Sequence, residues 1–213
     1  MINEINANRA CHIVTIEDPI EFMFKPAKSI ISQREMRSDT HSWQVALRSV
    51  LREDPDVVLV GEMRDYETIA AALTVAETGH LVFATLHTNS AAQTIDRIVD
   101  VFPEEQQAQV RLQLSNVIEA VFSQRLITAI AGGRVVGYEV LLASTAIRTS
   151  IREGKTHQID SILQTSQEVG MNTLETSLAA LVREGKITLE AAQSWSMRPE
   201  ELTRLVRSTP AAK

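Results

Sequence analysis

Three short runs of aliphatic and β-branched residues, each closed by polar or acidic side chains, constrain the fold of this chain more than any other feature. They are His12-Ile-Val-Thr-Ile-Glu-Asp18, Asp56-Val-Val-Leu-Val-Gly-Glu62 and His80-Leu-Val-Phe-Ala-Thr-Leu-His87. An apolar run of this length without polar alternation reads as a strand buried on both faces. Stretches of helical period lie between the runs. In residues 42–53, Trp43, Leu47, Val50 and Leu51 share one face before Pro55 ends the pattern. Asp65 is placed to cap a second helix through residues 68–77, with Gly79 available for the left-handed position beyond its end. A third helix is expected from Asn89 or Ser90 to just before Pro103. A fourth, from Pro103, carries Val110, Leu114, Val117, Ile118 and Val121 on one stripe. Strand and helix alternate, which predicts an α/β fold.

The pattern then changes. Residues 124–130 and 134–142, joined by Ala131-Gly-Gly133, read as a β-hairpin because adjacent glycines adopt positive φ at little cost. From Thr145 onward only helical patterns remain: Leu174, Leu178, Leu181 and Val182 form an apolar face ending at Gly185, and a further helix starts at Thr188 with Ala191 and Ala192. A boundary is therefore expected near residue 144, separating residues 1–144 from residues 145–213, with a frayed tail at residues 209–213.

Composition narrows the classes. With 44% hydrophobic residues in 213, the chain can bury a substantial core. No stretch approaches the ~18 apolar residues a membrane-spanning helix needs, and the polar start lacks a signal-peptide apolar region, so a cytosolic chain is expected. The single cysteine, Cys11, rules out an internal disulfide framework and a cysteine-cluster zinc site, and reads as a small core residue. A net charge of −6, from 21 basic and 27 acidic side chains, gives no electrostatic footprint for nucleic acid. His12, His41, His80 and His157 show no metal-ligand spacing.

The chemistry collects where the buried runs end, at Glu17 and Asp18, at Glu62, and at His87 and Thr88. In an open α/β sheet, ligands bind in the crevice beyond the carboxyl ends of the strands. If the three strands are parallel neighbours, several carboxylates and an imidazole meet there. Like charges so close raise one another's pKa unless a cation joins them. A magnesium ion carried by a nucleotide would relieve the strain, and a further carboxylate could orient or deprotonate an attacking water.

Here the residues resemble a known superfamily. Thr15-Ile-Glu-Asp-Pro-Ile-Glu-Phe22 is similar to the aspartate box of the type II and type IV secretion ATPases, residues 54–65 to their Walker B segment, and Thr85-Leu-His-Thr-Asn-Ser-Ala91 to their histidine box. Ala146-Ile-Arg-Thr-Ser-Ile-Arg-Glu-Gly154 is similar to a motif of the type IV pilus retraction ATPases, departing at Thr149 and Ser150, where those proteins commonly carry asparagine and leucine. Assembly and type II secretion relatives typically insert a four-cysteine zinc element, which one cysteine cannot form, so the retraction branch is favoured.

The resemblance implies a RecA-like P-loop NTPase core followed by an all-helical C-terminal region, with ATP and Mg²⁺ as ligands. It assigns Glu62 to polarising the attacking water, Glu21 to holding the water or metal shell, and His87 to sensing the γ-phosphate. Glu17, Asp18, Arg64 and Arg97 become candidates on the nucleotide side, and Glu62 and Glu21 the candidates nearest the metal. It further implies a homohexamer at the cytoplasmic face of the inner membrane, peripheral to the bilayer, working against a pilus platform protein in that membrane. The glycine-rich phosphate loop Gly-x-x-x-x-Gly-Lys-Ser/Thr occurs nowhere in the 213 residues. The expectation is a piece of a motor ATPase that alone binds ATP poorly and hydrolyses almost none. The rival readings are a pilus assembly or type II secretion ATPase, and a non-catalytic ring subunit.

Overall fold

The computed structural model describes residues 1–208, so the expected frayed tail lies outside the described residues. The chain forms two compact units, one of Met1–His87 and Ile98–Val117, the other of Thr88–Arg97 and the chain from Ile118 onward.

The first unit begins with α1 (Ile2–Asn8), β1 (His12–Glu17), β2 (Ile30–Glu35), α2 (Trp43–Val50), β3 (Val57–Val60), α3 (Tyr66–Glu77) and β4 (Leu81–Ala84). All four strands are parallel, in the order β2-β1-β3-β4. Because side chains alternate across a strand, Val14, Ile16, Val58 and Val60 pack against Ala46, Leu47 and Val50 of α2 and Ala72 and Val75 of α3. Ile13 and Val57 face the opposite side and meet Ile2 of α1, with Leu81 and Phe83 beside them. Each such aliphatic side chain contributes about 1.5–3 kcal/mol on full burial. Cys11 joins this second cluster, its Sγ 3.3 Å from Ser29 Oγ.

Two expectations change here. The apolar run at β4 predicts burial on both faces, yet all four of its residues are only half-buried, because β4 lies at the edge of the sheet with a neighbour on one side. Strand β2, at the other edge, went unread because only Ile30 and Ile31 in it are apolar. The helix ends follow their caps. Ser42 Oγ accepts from the Val45 amide, Asp65 Oδ1 accepts from the Thr68 amide at 2.8 Å, and Gly79 takes φ +95° beyond α3.

Helix α4 (Ala91–Asp100) contains the division between the units, and α5 (Glu104–Val117) closes the first. The stripe expected on the fourth helix is shorter than its sequence pattern suggested: α5 stops at Val117, leaving Val121 in a strand.

The second unit is built on the antiparallel hairpin β5 (Ala120–Thr128) and β6 (Arg134–Leu142), turned at Gly132 (φ +89°) and Gly133 (φ +74°). Helices α6 (Thr145–Arg152), α7 (Ile159–Thr165), α8 (Leu174–Arg183), α9 (Leu189–Trp195) and α10 (Pro199–Arg207) follow. Ile127 of β5 packs with Leu174, Leu178 and Ala179 of α8, Ala192 of α9 and Leu202 of α10. A Cβ at Gly137 would come within 2.9 Å of Ile127 Cδ1 and 3.3 Å of Leu178 Cδ2, so a side chain there would have to displace the tips of these core side chains. A two-stranded ribbon is marginal alone, and this one uses the helices as its core. The compact unit that holds these helices accordingly includes the hairpin, together with Thr88–Arg97.

Glu175 of α8 ties this unit together. It is 1% exposed, and its Oε1 accepts from Ser196 Oγ and from the amides of Met197 and Arg198, each at 3.1 Å. Its Oε2 accepts from Arg198 Nη2 at 2.8 Å. Burial alone would push its pKa up, but the Arg198 guanidinium and the other donors outweigh it and the net shift is down.

Candidate active site

Parallel strands share one carboxyl edge, and the register decides which polar side chains meet there. Glu17 pairs with Glu35, Ile16 with Val60, and Val60 with Ala84, so the residues that follow β1, β3 and β4 emerge side by side. Just beyond β3, the Gly61 amide donates to Ile16 O at 2.7 Å. A Cβ at Gly61 would stand 3.1 Å from both Glu17 Cα and Ile16 O, which are backbone atoms, so glycine permits the approach that carries Glu62 onto this edge. From β4, Thr85 Oγ1 donates to Gly61 O, and the Met63 amide donates to Thr85 O at 3.0 Å. The segment holding Glu62 is thus stitched on both sides of that residue to Thr85, two residues before His87.

Glu62 is the centre of the group. Its Oε1 lies 3.0 Å from His87 Nε2 and its Oε2 lies 2.5 Å from Arg64 Nη2. The Arg64 hydrogen bond holds the Glu62 carboxyl below its usual range, with His87 adding to the effect and partial desolvation opposing it. Glu62 raises the Arg64 pKa in return, and the charge of Asp18 adds to that field. His87 and Arg64 are largely exposed at 85% and 75%, while Glu62 is 21% exposed. The arrangement is a half-buried carboxylate met by two exposed donor groups.

The other expected residues have different fates. Glu17 Oε1 accepts from Thr15 Oγ1 at 2.7 Å and Gln33 Nε2 at 3.1 Å, so one of its oxygens is already committed to the sheet. Asp18 is exposed, precedes a cis peptide to Pro19, and pairs with Arg37 at 3.7 Å. Glu21 is exposed in the loop that follows, and its side chain makes no hydrogen bond or ion pair among the described residues. Arg97 is exposed on α4 and belongs to the second unit. Of the seven, the structure brings Glu62, His87 and Arg64 into direct contact.

Three residues that went unread shape this edge. Glu35 accepts from the Ile20 amide at 3.0 Å, and Gln33 accepts from the Phe24 amide at 2.8 Å, so β2 fastens the loop carrying Glu21. Arg37, with φ +72°, sits in the left-handed region that favours glycine and reaches Asp18. The sequence signal for the first two was a polar edge strand, too weak to register; for Arg37 there was none.

Among the described residues no group of three or more His, Cys, Asp and Glu converges to hold a metal. One or two carboxylates beside phosphate oxygens and water is nevertheless a common way of holding Mg²⁺, and an ionised Glu62 at the strand ends fits it.

In an open parallel sheet, ligands bind beyond the carboxyl ends of the strands, and Glu62 after β3 and His87 after β4 stand at that edge. Residues 1–131 match the model of the type II/IV secretion system protein family, and the chain belongs to that family. Over 204 residues it is 55% identical to a twitching motility protein of Neisseria gonorrhoeae, covering 95% of this chain and 54% of that one. Over 200 residues it is 53% identical to the type IV pilus retraction ATPase PilT of Pseudomonas aeruginosa, covering 94% and 58%. A crystal structure of the pilus retraction motor PilT with bound ADP superposes with a TM-score of 0.89 at 54% identity, covering 96% of this chain and 58% of that one. The chain thus spans little more than half the length of the relatives it matches.

Proposed function

We propose that this chain is part of a motor ATPase whose ATP hydrolysis drives type IV pilus retraction, and that the Glu62 carboxylate is its catalytic base. The observation that carries the reading is the Glu62 carboxylate, held between His87 and Arg64 at the carboxyl edge of a parallel sheet. The similarity to a retraction motor that binds ADP supports a nucleotide as the ligand.

In this reading Glu62 orients the attacking water and accepts its proton. A carboxylate paired with a guanidinium is a weak base, so Glu62 gains basicity when Arg64 swings away toward phosphate, which its exposure allows. His87 exchanges its bond to Glu62 for one to the γ-phosphate and returns when that phosphate leaves. Mg²⁺, when bound, would neutralise phosphate charge, with Glu62 and Glu21 as the chain's nearest carboxylates to its water shell. Glu17 and Asp18 keep the edge negative enough to attract the cation, and Arg97 is assigned to compensating nucleotide charge. The working protein is a homohexameric ring, peripheral to the cytoplasmic face of the inner membrane and pulling on a platform protein there. No helix among the described residues is long and apolar enough to cross a membrane.

The test is ATP turnover of this chain beside a chimera in which the N-terminal part of the Pseudomonas relative precedes Met1. Turnover in the chimera and almost none in the chain alone is expected. An inactive chimera that still assembles would favour the reading as a non-catalytic ring subunit.

A further inference from the structure

Immediately after His87 the chain passes into the second unit, and its first residues there are gripped by both strands of the hairpin. Arg125 Nη2 of β5 donates to Asn89 O at 2.7 Å and to Asn89 Oδ1 at 2.9 Å. Glu139 Oε1 of β6 accepts from the Ala91 amide at 2.7 Å. In the hairpin register Arg125 pairs with Gly137 and Glu139 with Ser123, so the two side chains leave one face from adjoining strands.

The grip is costly and therefore informative. Glu139 is 5% exposed, and burial pushes its pKa up against the opposing Ala91 bond. An apolar side chain would fill that space without the desolvation penalty. What the carboxylate supplies instead is a partner for one of the first amides of α4, which have none within the helix, at the positive end of its dipole. The segment is also stiffened from within: Ser90 Oγ accepts from the Gln93 amide at 3.2 Å and Thr94 Oγ1 donates to Ser90 O at 2.8 Å. A residue spans at most about 3.3–3.6 Å of extended chain, so two anchors at positions 89 and 91 leave little slack behind His87.

We propose that Arg125 and Glu139 are positioning residues that clamp the segment after His87 to the hairpin, so that a displacement of His87 is carried through residues 88–91 into β5 and β6. The trigger for that displacement rests on the nucleotide reading of His87 given above; the clamp does not.

The experiment uses this chain, isotopically labelled for nuclear magnetic resonance, and His87→Ala as the perturbation. In the otherwise unaltered chain, His87→Ala shifts the amide resonances of Arg125, Tyr138 and Glu139. With Arg125→Met and Glu139→Ala also present, the shifts stop before the hairpin. Hairpin shifts that persist undiminished without the anchors, or that are missing with them, would overturn the clamp. The Ala91 amide gives a second readout: its hydrogen exchange accelerates about tenfold or more in Glu139→Ala but only about threefold or less in Glu139→Gln, which keeps an acceptor. Equal acceleration by both would make Glu139 a packing residue and refute the proposal. Arg125→Leu, which likewise removes the donors, replaces Arg125→Met if that variant does not fold. Adding a non-hydrolysable ATP analogue and Mg²⁺ to the chimera separates the two readings: a His87 signal that ignores the bound γ-phosphate while the His87→Ala shifts still reach the hairpin sinks the nucleotide role and supports the clamp.

Discussion

Replacing Arg198 with methionine removes the one charged partner within 3 Å of Glu175 and leaves a carboxylate that is 1% exposed. Breaking a buried ion pair from one side costs about 3–5 kcal/mol when the remaining charge is left uncompensated. Here three hydrogen bonds to Glu175 Oε1 survive, and Arg198 is itself 28% exposed, so water can follow into the gap. The lower end, about 3 kcal/mol, is therefore expected. With a urea slope of about 1.5 kcal/mol per molar, the unfolding midpoint should fall by about 2 M. The pH dependence identifies the cause. In the wild type the Glu175 pKa is depressed, so its contribution is present above the unfolded value of about 4.3 and is lost as pH falls through the folded value. In Arg198→Met burial acts without the guanidinium, the folded pKa rises above the unfolded one, and protonation relieves the variant. The gap between the two stability curves should then narrow from pH 7 toward pH 4. A midpoint within about 0.3 M of wild type would refute the electrostatic account, and a full-sized gap unchanged at pH 4 would assign the loss to packing.

Other perturbations probe the local arguments. Gly61→Ala forces a Cβ against the backbone of β1; it should destabilise the first unit by about 1 kcal/mol in urea unfolding, and an unchanged midpoint would show that the strands can part freely. Arg37→Gly, at φ +72°, should stabilise by about 0.5 kcal/mol, the relief of left-handed strain less the entropy of glycine; destabilisation would mean the Asp18 pair matters more than the backbone. Asp65→Ala removes the cap of α3 and should cost about 1 kcal/mol, with Asp65→Ser recovering most of it.

How much of this was legible beforehand varies with the kind of signal. Ile13 to Ile16 and Val57 to Val60 announced their strands because both sheet faces are covered, and Asp65 and Gly79 announced the ends of α3. Strand β2 hid because an edge strand needs few apolar residues and spends its polar ones on holding the neighbouring loop. The hairpin's allegiance to the helices has no local signal because Ile127 shares its core cluster with Leu178 and Leu202, residues about 50 and 75 positions away that no local period encodes. At the site, Glu62 and His87 could be picked from their positions at strand ends, and the parallel register brings them together. The Arg37 backbone and the Glu139 cap leave no pattern in the chain, and that Arg64 pairs with Glu62 two residues away depends on how the chain leaves β3.

The measurement that bears most directly on the central claim is single-turnover ATP hydrolysis by the chimera carrying Glu62→Gln, with ADP affinity measured on the same preparation. Loss of the proton acceptor should slow hydrolysis by about a hundredfold or more while leaving ADP affinity within about threefold. Hydrolysis close to the wild-type rate would contradict Glu62 as the catalytic base.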